Sequence, residues 1–145
     1  MQSGKIVSLA KQQEVKGPLE YMKEAVLIED IGIEGNVFQG GKRQVCVCSS
    51  ETRKWMSEQV DVGLCFKHFS ENILTEGIPL DKLQIGDLLS VGGAKLYVNE
   101  KKPCFDDCVL RVNKRPCQLS ANAFFAVVKK GGVIKLEDSV FVVSD

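Results

Sequence analysis

Apolar residues in this chain come in short runs rich in Val and Ile, and each run is cut by Gly, Asn, Asp or Pro. That feature constrains the fold most. Long amphipathic helices need apolar residues at three- and four-residue spacing, whereas short alternating runs bounded by turn residues are the pattern of strands. Gly4 to Leu9 is expected as a first strand and Ala25 to Ile28 as a second. In Gln44 to Cys48, Val45 and Val47 fall on one face and Cys46 on the other. Glu71 to Leu74, Leu88 to Val91, Ala94 to Val98, Val109 to Val112, Phe124 to Val128, Val133 to Leu136 and Val140 to Val143 continue the series. Gly92-Gly93 and Gly131-Gly132 read as two hairpin turns. Ser49-Ser50-Glu51 offers N-cap chemistry for one principal helix, about Ser50 to Val60, on which Trp55 packs. A shorter helical turn is expected over Gly63 to His68, and Leu80 to Leu83 is expected to pack a loop.

The total is roughly nine or ten strands and one helix. That predicts a mainly β fold, a barrel or sandwich whose closure removes exposed edges. Nothing alternates strand and helix as a doubly wound fold requires. With 145 residues and no linker-like stretch, one domain spanning residues 1–145 is expected.

Nineteen basic residues balance nineteen acidic ones, so the basic excess of a nucleic-acid binder is missing. The first ten residues hold no long apolar core, and no run approaches the ~18 residues of a membrane span. A cytoplasmic location and six reduced cysteines follow as expectations.

Cys46 and Cys48 share one face of a strand and read as small core residues. Cys104, Cys108 and Cys117 are different, because they flank one strand amid charge and proline. Lys101, Lys102 and Pro103 precede Cys104, and cations favour the reactive thiolate, while Asp106 and Asp107 oppose it. The three cysteines could together hold a metal, although their spacing is not that of a paired zinc site, or two could form a dithiol pair. His68 is the one histidine, so no catalytic triad can be assembled from sequence. Gly40-Gly41-Lys42-Arg43 reads as a loop before a strand, with backbone amides and Arg43 able to hold an anion.

The order of several motifs resembles a known family. Gly32-Ile33-Glu34-Gly35 followed by Arg43-Gln44-Val45, then Glu71-Asn72-Ile73-Leu74-Thr75-Glu76-Gly77-Ile78, then Leu83-Gln84-Ile85-Gly86-Asp87 with Val91-Gly92, then Cys104, then Gly131-Gly132 and Asp138, run through almost the whole chain. Together they resemble a MOSC domain, the C-terminal module of molybdenum cofactor sulfurases, in its small stand-alone bacterial form. The resemblance implies a MOSC-like β-barrel of short strands with one principal helix, and a ligand cleft containing the cysteine.

By that resemblance the protein binds molybdenum cofactor (molybdopterin) or carries sulfur for metal–sulfur centres. Cys104 would be the catalytic thiol, as metal ligand or persulfide carrier, and Arg43, Asn72 and Thr75 would line the cofactor cleft with it. Cys104, Cys108 and Cys117 are the candidate metal-binding set. The implied partners are molybdoenzyme-maturation proteins, with no nucleic acid and no membrane. Where the family has an acidic residue and then a histidine, this chain has Asn36 and Phe38. Phe105, Ser120 and Asn122 are further departures, and Glu137-Asp138 replaces a Gly-Asp. These imply an alternative, a divergent binding module that kept the barrel and lost the site. A molybdenum-dependent reductase of N-hydroxylated compounds is a third reading and would need a redox partner.

Overall fold

The computed structural model describes residues 3–15, 17–58, 71–101 and 122–143. The strands are β1 (Ser3–Lys11), β2 (Glu20–Met22), β3 (Glu24–Ile28), β4 (Gly32–Ile33), β5 (Val45–Ser49), β6 (Ile73–Glu76), β7 (Leu88–Val91), β8 (Ala94–Lys101), β9 (Ala123–Lys130), β10 (Gly132–Lys135) and β11 (Ser139–Val143). One helix, α1 (Ser50–Ser57), follows β5, and a 3₁₀ turn covers Leu80–Lys82.

Strands β11, β7, β8, β9, β5, β6 and β1 pair in that order, and β1 pairs again with β11, which closes a barrel. The fold is therefore mainly β and barrel-like, as expected. Short β2 extends from β1, and a second sheet pairs β10, β3 and β4. Every described barrel pairing is antiparallel except β5 with β6, whose Val47↔Ile73, Cys48↔Leu74 and Ser49↔Thr75 register is parallel. A parallel pair needs a crossover, and α1 supplies part of it.

The core follows from alternation. Val45, Val47, Ile73, Leu89, Leu96 and Phe124 are fully buried in one cluster. The other face of β5 builds a smaller cluster, where Cys48, Met56 and Ala123 pack with Trp55 and Leu74. Helix α1 begins where expected because Ser49 Oγ accepts the amide of Thr52 at 3.1 Å. That satisfies one of the first-turn amides left without an intrahelical carbonyl.

One expectation is corrected. Gly131-Gly132 is not a hairpin turn between β9 and the next strand. Both edges of β9 are already occupied, by β5 and β8. Strand β10 therefore pairs with β3, Val133 opposite Val26, in the smaller sheet. The leucines at both ends of Leu80 to Leu83 are buried, as expected, and Leu80–Lys82 forms a 3₁₀ turn. The expected strand Val109 to Val112 and the turn Gly63 to His68 lie outside the described residues.

Strand β8 carries a register shift that sequence could not reveal. Val98 faces Ala126, yet Glu100 faces Phe125 and Lys101 faces Phe124. The extra residue flips the alternation. Lys101 thus shares the inner face with buried Phe124, and Glu100 turns outward. The Lys101 amine donates to the carbonyl of Leu80 at 3.2 Å. Burial lowers its pKa, with Asp81 and Asp87 pulling it back.

Candidate functional site

One end of the barrel gathers the polar residues of interest. Ser49 ends β5 beside Thr75 of β6. Cys48 faces Ala123 at the start of β9, and Phe124 faces Lys101 at the end of β8. The chain from 102 to 121 is thus joined to the barrel at this end. Cys104, Cys108 and Cys117 fall within it, outside the described residues. So do His68 and Cys65. Among the described residues no three His, Cys, Asp or Glu side chains are grouped so as to hold a metal ion.

Thr75 has no solvent exposure, and its Oγ1 has no hydrogen-bond partner among the described residues. It shares the inner face with Ile73, two positions earlier. A hydroxyl buried without a partner costs about 1–3 kcal/mol, so its retention calls for an explanation.

Asn72 sits three residues before Thr75 but is fully engaged by the protein. Its Oδ1 accepts the amide of Cys46 at 2.9 Å. Its Nδ2 donates to the Ala10 carbonyl at 3.1 Å and to Asn36 Oδ1 at 3.3 Å. Asn36 Oδ1 also accepts the Gln12 amide at 2.9 Å. Both asparagines are buried, and together they tie β1, β5 and the loop after β4 into one unit.

Arg43 lies before the other end of β5, away from Ser49 and Thr75. It donates to both carboxylate oxygens of Glu100, at 2.7 and 2.9 Å. Its guanidinium stacks 4.5 Å from the Phe125 ring centre. The outward turn of Glu100, made by the β8 register shift, creates this fork. The Glu100 bond raises the Arg43 pKa, and the same bond lowers that of Glu100. Of the three described cleft candidates, Asn72 and Thr75 are near neighbours in sequence, and the Arg43 side chain is engaged by Glu100, the neighbour of Lys101.

Sequence reasoning missed two features. Lys101 was noted as a neighbour of Cys104, but its inward turn depends on the register shift. Arg53 donates through Nε at 3.0 Å and through its second amino group to Glu71 Oε2, across the outer face of β5. No sequence signal links two charges in different elements.

Cys46 and Cys48 are buried, as expected, and neither is in a disulfide. Burial pushes the Cys48 thiol up to about 12, with the Glu71 carboxylate adding and Arg53 opposing. Its thiolate fraction at pH 8 is about a thousandfold below that of an ordinary thiol. Iodoacetamide should leave Cys48 unlabelled in the native protein and label it on unfolding. Because the folded pKa is raised above 9.0, this thiol's contribution to stability is complete below about pH 9 and is lost as pH rises toward 12. Cys48→Ala should flatten the stability profile in that window, measured by urea unfolding.

No helix among the described residues is long and apolar enough to cross a membrane. The MOSC domain model matches residues 34–140. The fold is similar to a crystal structure of the YUAD protein from Bacillus subtilis, with TM-score 0.68, 18% identity, 100% of this chain and 97% of that one covered. It is also similar to YiiM from Escherichia coli, with TM-score 0.64 and 19% identity over 100% and 71% of the two chains. YiiM from Geobacillus stearothermophilus gives TM-score 0.54 and 19% identity over 97% and 73%. No curated protein matches the sequence. A family model covering most of the chain, together with a closed barrel carrying the motifs in order, places this protein in the MOSC domain family.

Proposed function

We propose that this protein binds molybdenum cofactor or carries sulfur for metal–sulfur centres, with Cys104 as metal ligand or persulfide carrier. The family is a molybdenum-cofactor-related one. The observation that carries the reading is the fully buried, unpartnered hydroxyl of Thr75 at the barrel end to which residues 102–121 are joined. A buried donor without a protein partner fits a polar ligand. The cofactor would supply molybdenum and a dithiolene, and a cysteine thiolate is a suitable soft ligand for such a centre. Thr75 would donate a hydrogen bond to it. Asn72 would act indirectly, by holding β1 and β5 in register beneath the site. Arg43 would contribute only by exchanging Glu100 for an anionic group on the ligand. Cys108 and Cys117 would join Cys104 if a metal is held by several thiolates.

As a carrier, Cys104 would work by thiol exchange. Its thiolate attacks the outer sulfur of a persulfide donor. A new S–S bond forms as the donor's breaks, and the donor leaves as thiolate. An acceptor nucleophile then takes that outer sulfur and releases the Cys104 thiolate. Neither step changes the net oxidation state, so no electron donor is required. Molybdoenzyme-maturation proteins are the partner class this chemistry serves.

The test is anaerobic purification from a host that makes the cofactor, with pterin and metal analysis, plus mass spectrometry after incubation with a persulfide donor. The expected result is bound cofactor or a sulfur adduct on Cys104, lost in Cys104→Ser. Cys104 should also alkylate faster than Cys46 and Cys48. Asn36 favours a second reading, a binding module without cofactor chemistry, because it is 4% exposed and serves the Asn72 network. Folded protein that takes up neither cofactor nor sulfur would establish that reading instead.

A further inference from the structure

We infer that Cys46, Cys48 and Met56 form a soft-metal site on the outer face of β5, suited to monovalent copper. The site is separate from Cys104 and goes beyond the cofactor reading, on which it does not depend.

Both thiols leave one face of β5, because Cys46 and Cys48 are two residues apart on the strand. Met56, one turn beyond Thr52 in α1, packs with Cys48 in the smaller cluster. Relative exposure is 6% for Cys46, 0% for Cys48 and 8% for Met56, so the corner is nearly dry. Positive charge is placed beside both thiols. Cys46 faces Phe125 across the ladder, and the Arg43 guanidinium stacks on that ring. Arg53, held by Glu71, lies within electrostatic reach of Cys48.

Thiolate and thioether sulfurs are the soft donors that select Cu(I), whereas a structural zinc ion takes four ligands. No His, Asp or Glu among the described residues joins the two thiols in a group of three. A strand rises about 3.3 Å per residue, so Cβ atoms two positions apart stand about 6.6 Å apart. That is too wide for a disulfide, whose Cβ atoms are about 3.5–4.5 Å apart, but an ion bridging two sulfurs spans it. Binding forms two Cu–S bonds as two S–H protons leave to solvent. One of them is the Cys48 proton now given to the Ser49 carbonyl at 3.6 Å. The copper bis-thiolate carries one negative charge, which Arg43 and Arg53 offset and the Glu71 carboxylate opposes.

The test is an anaerobic titration with Cu(I), in competition with bicinchoninate, of the full chain carrying Cys65→Ser, Cys104→Ser, Cys108→Ser and Cys117→Ser. Uptake of a single copper is expected, with an ultraviolet thiolate-to-copper band. Its affinity should rise about a hundredfold per pH unit near neutrality, because two protons are displaced. Zn(II) should not displace it. Adding Cys46→Ala or Cys48→Ala should abolish uptake. Met56→Leu keeps the volume, removes the sulfur and should weaken binding about tenfold. A folded background that takes up no copper would overturn the inference, as would uptake unchanged by Cys48→Ala. A second measurement uses the unaltered chain, so the outcome does not hang on the folding of the fourfold variant. Saturation with Cu(I) should shift the Met56 methyl resonance and the Cys46 and Cys48 amides. Resonances that stay in place through saturation would overturn the site.

Discussion

Asn72→Ala should destabilise the fold by about 4 kcal/mol, because two buried backbone groups lose their partners at about 1–3 kcal/mol each and a cavity is added. The groups are the Cys46 amide and the Ala10 carbonyl. Both belong to barrel strands that β6 separates, so the amide bridges a gap in the ladder. Urea unfolding followed by Trp55 fluorescence measures the loss, since Trp55 packs in the cluster beside β5. Asn72→Asp should be worse at neutral pH than near pH 3. Its carboxylate still accepts from Cys46 but faces two further oxygens, those of Ala10 and Asn36. Protonation restores one donor. Asn36→Asp should be far milder, because Asn36 Oδ1 only accepts. A cost for Asn72→Ala below about 1 kcal/mol would mean that water replaces the amide at this junction.

That network explains how the family motif reads at positions 36 and 72. An acidic residue at 36 would accept the same two hydrogen bonds that Asn36 accepts. The change to asparagine therefore preserves the latch, while Phe38 stands about half exposed at 47%. Motif residues that looked like ligand contacts divide on inspection. Asn72 holds strands, Asp87 accepts the Gln84 amide at 2.8 Å, and Asp138 accepts the Lys135 amide at 2.8 Å. Thr75 alone among the described cleft candidates has a buried polar atom without a partner.

The strands were legible because alternation and turn residues act locally. Val45 and Val47 face the main core and Cys48 the helix, as a period of two requires. The start of α1 was legible for the same reason, since its cap is written within four residues. Partner choice was not. Gly131-Gly132 has the chemistry of a hairpin, but whether β10 folds back on β9 depends on which edges other strands have taken. The inward Lys101 and outward Glu100 depend on a single shift in the β8–β9 ladder. The site was legible only as motif positions, because its decisive property, a buried hydroxyl without a partner, belongs to packing.

Glu71→Gln should cost about 2 kcal/mol and make Cys48 a stronger acid. Arg53 and Glu71 meet on the outer face of β5 with side chains 30% and 10% exposed. Breaking a fully buried pair from one side costs about 3–5 kcal/mol, and Arg53's partial exposure reduces that. Glutamine keeps an oxygen for Arg53, so the lost part is the charge. Burial dominates the rise of the Cys48 thiol to about 12, but Glu71 adds to it and Arg53 opposes it. Removing the carboxylate charge leaves Arg53 as the near charge, so the thiol pKa falls. Glu71→Ala should cost more than Glu71→Gln, since it leaves Arg53 without that acceptor. The measurement is thiolate absorbance near 240 nm across pH 8 to 12 in a Cys48-only background, with urea unfolding of each variant. An unchanged Cys48 titration would show that burial alone sets it. A stability loss equal in Glu71→Gln and Glu71→Ala would show that the carboxylate charge, not the hydrogen bond, holds Arg53 against β5.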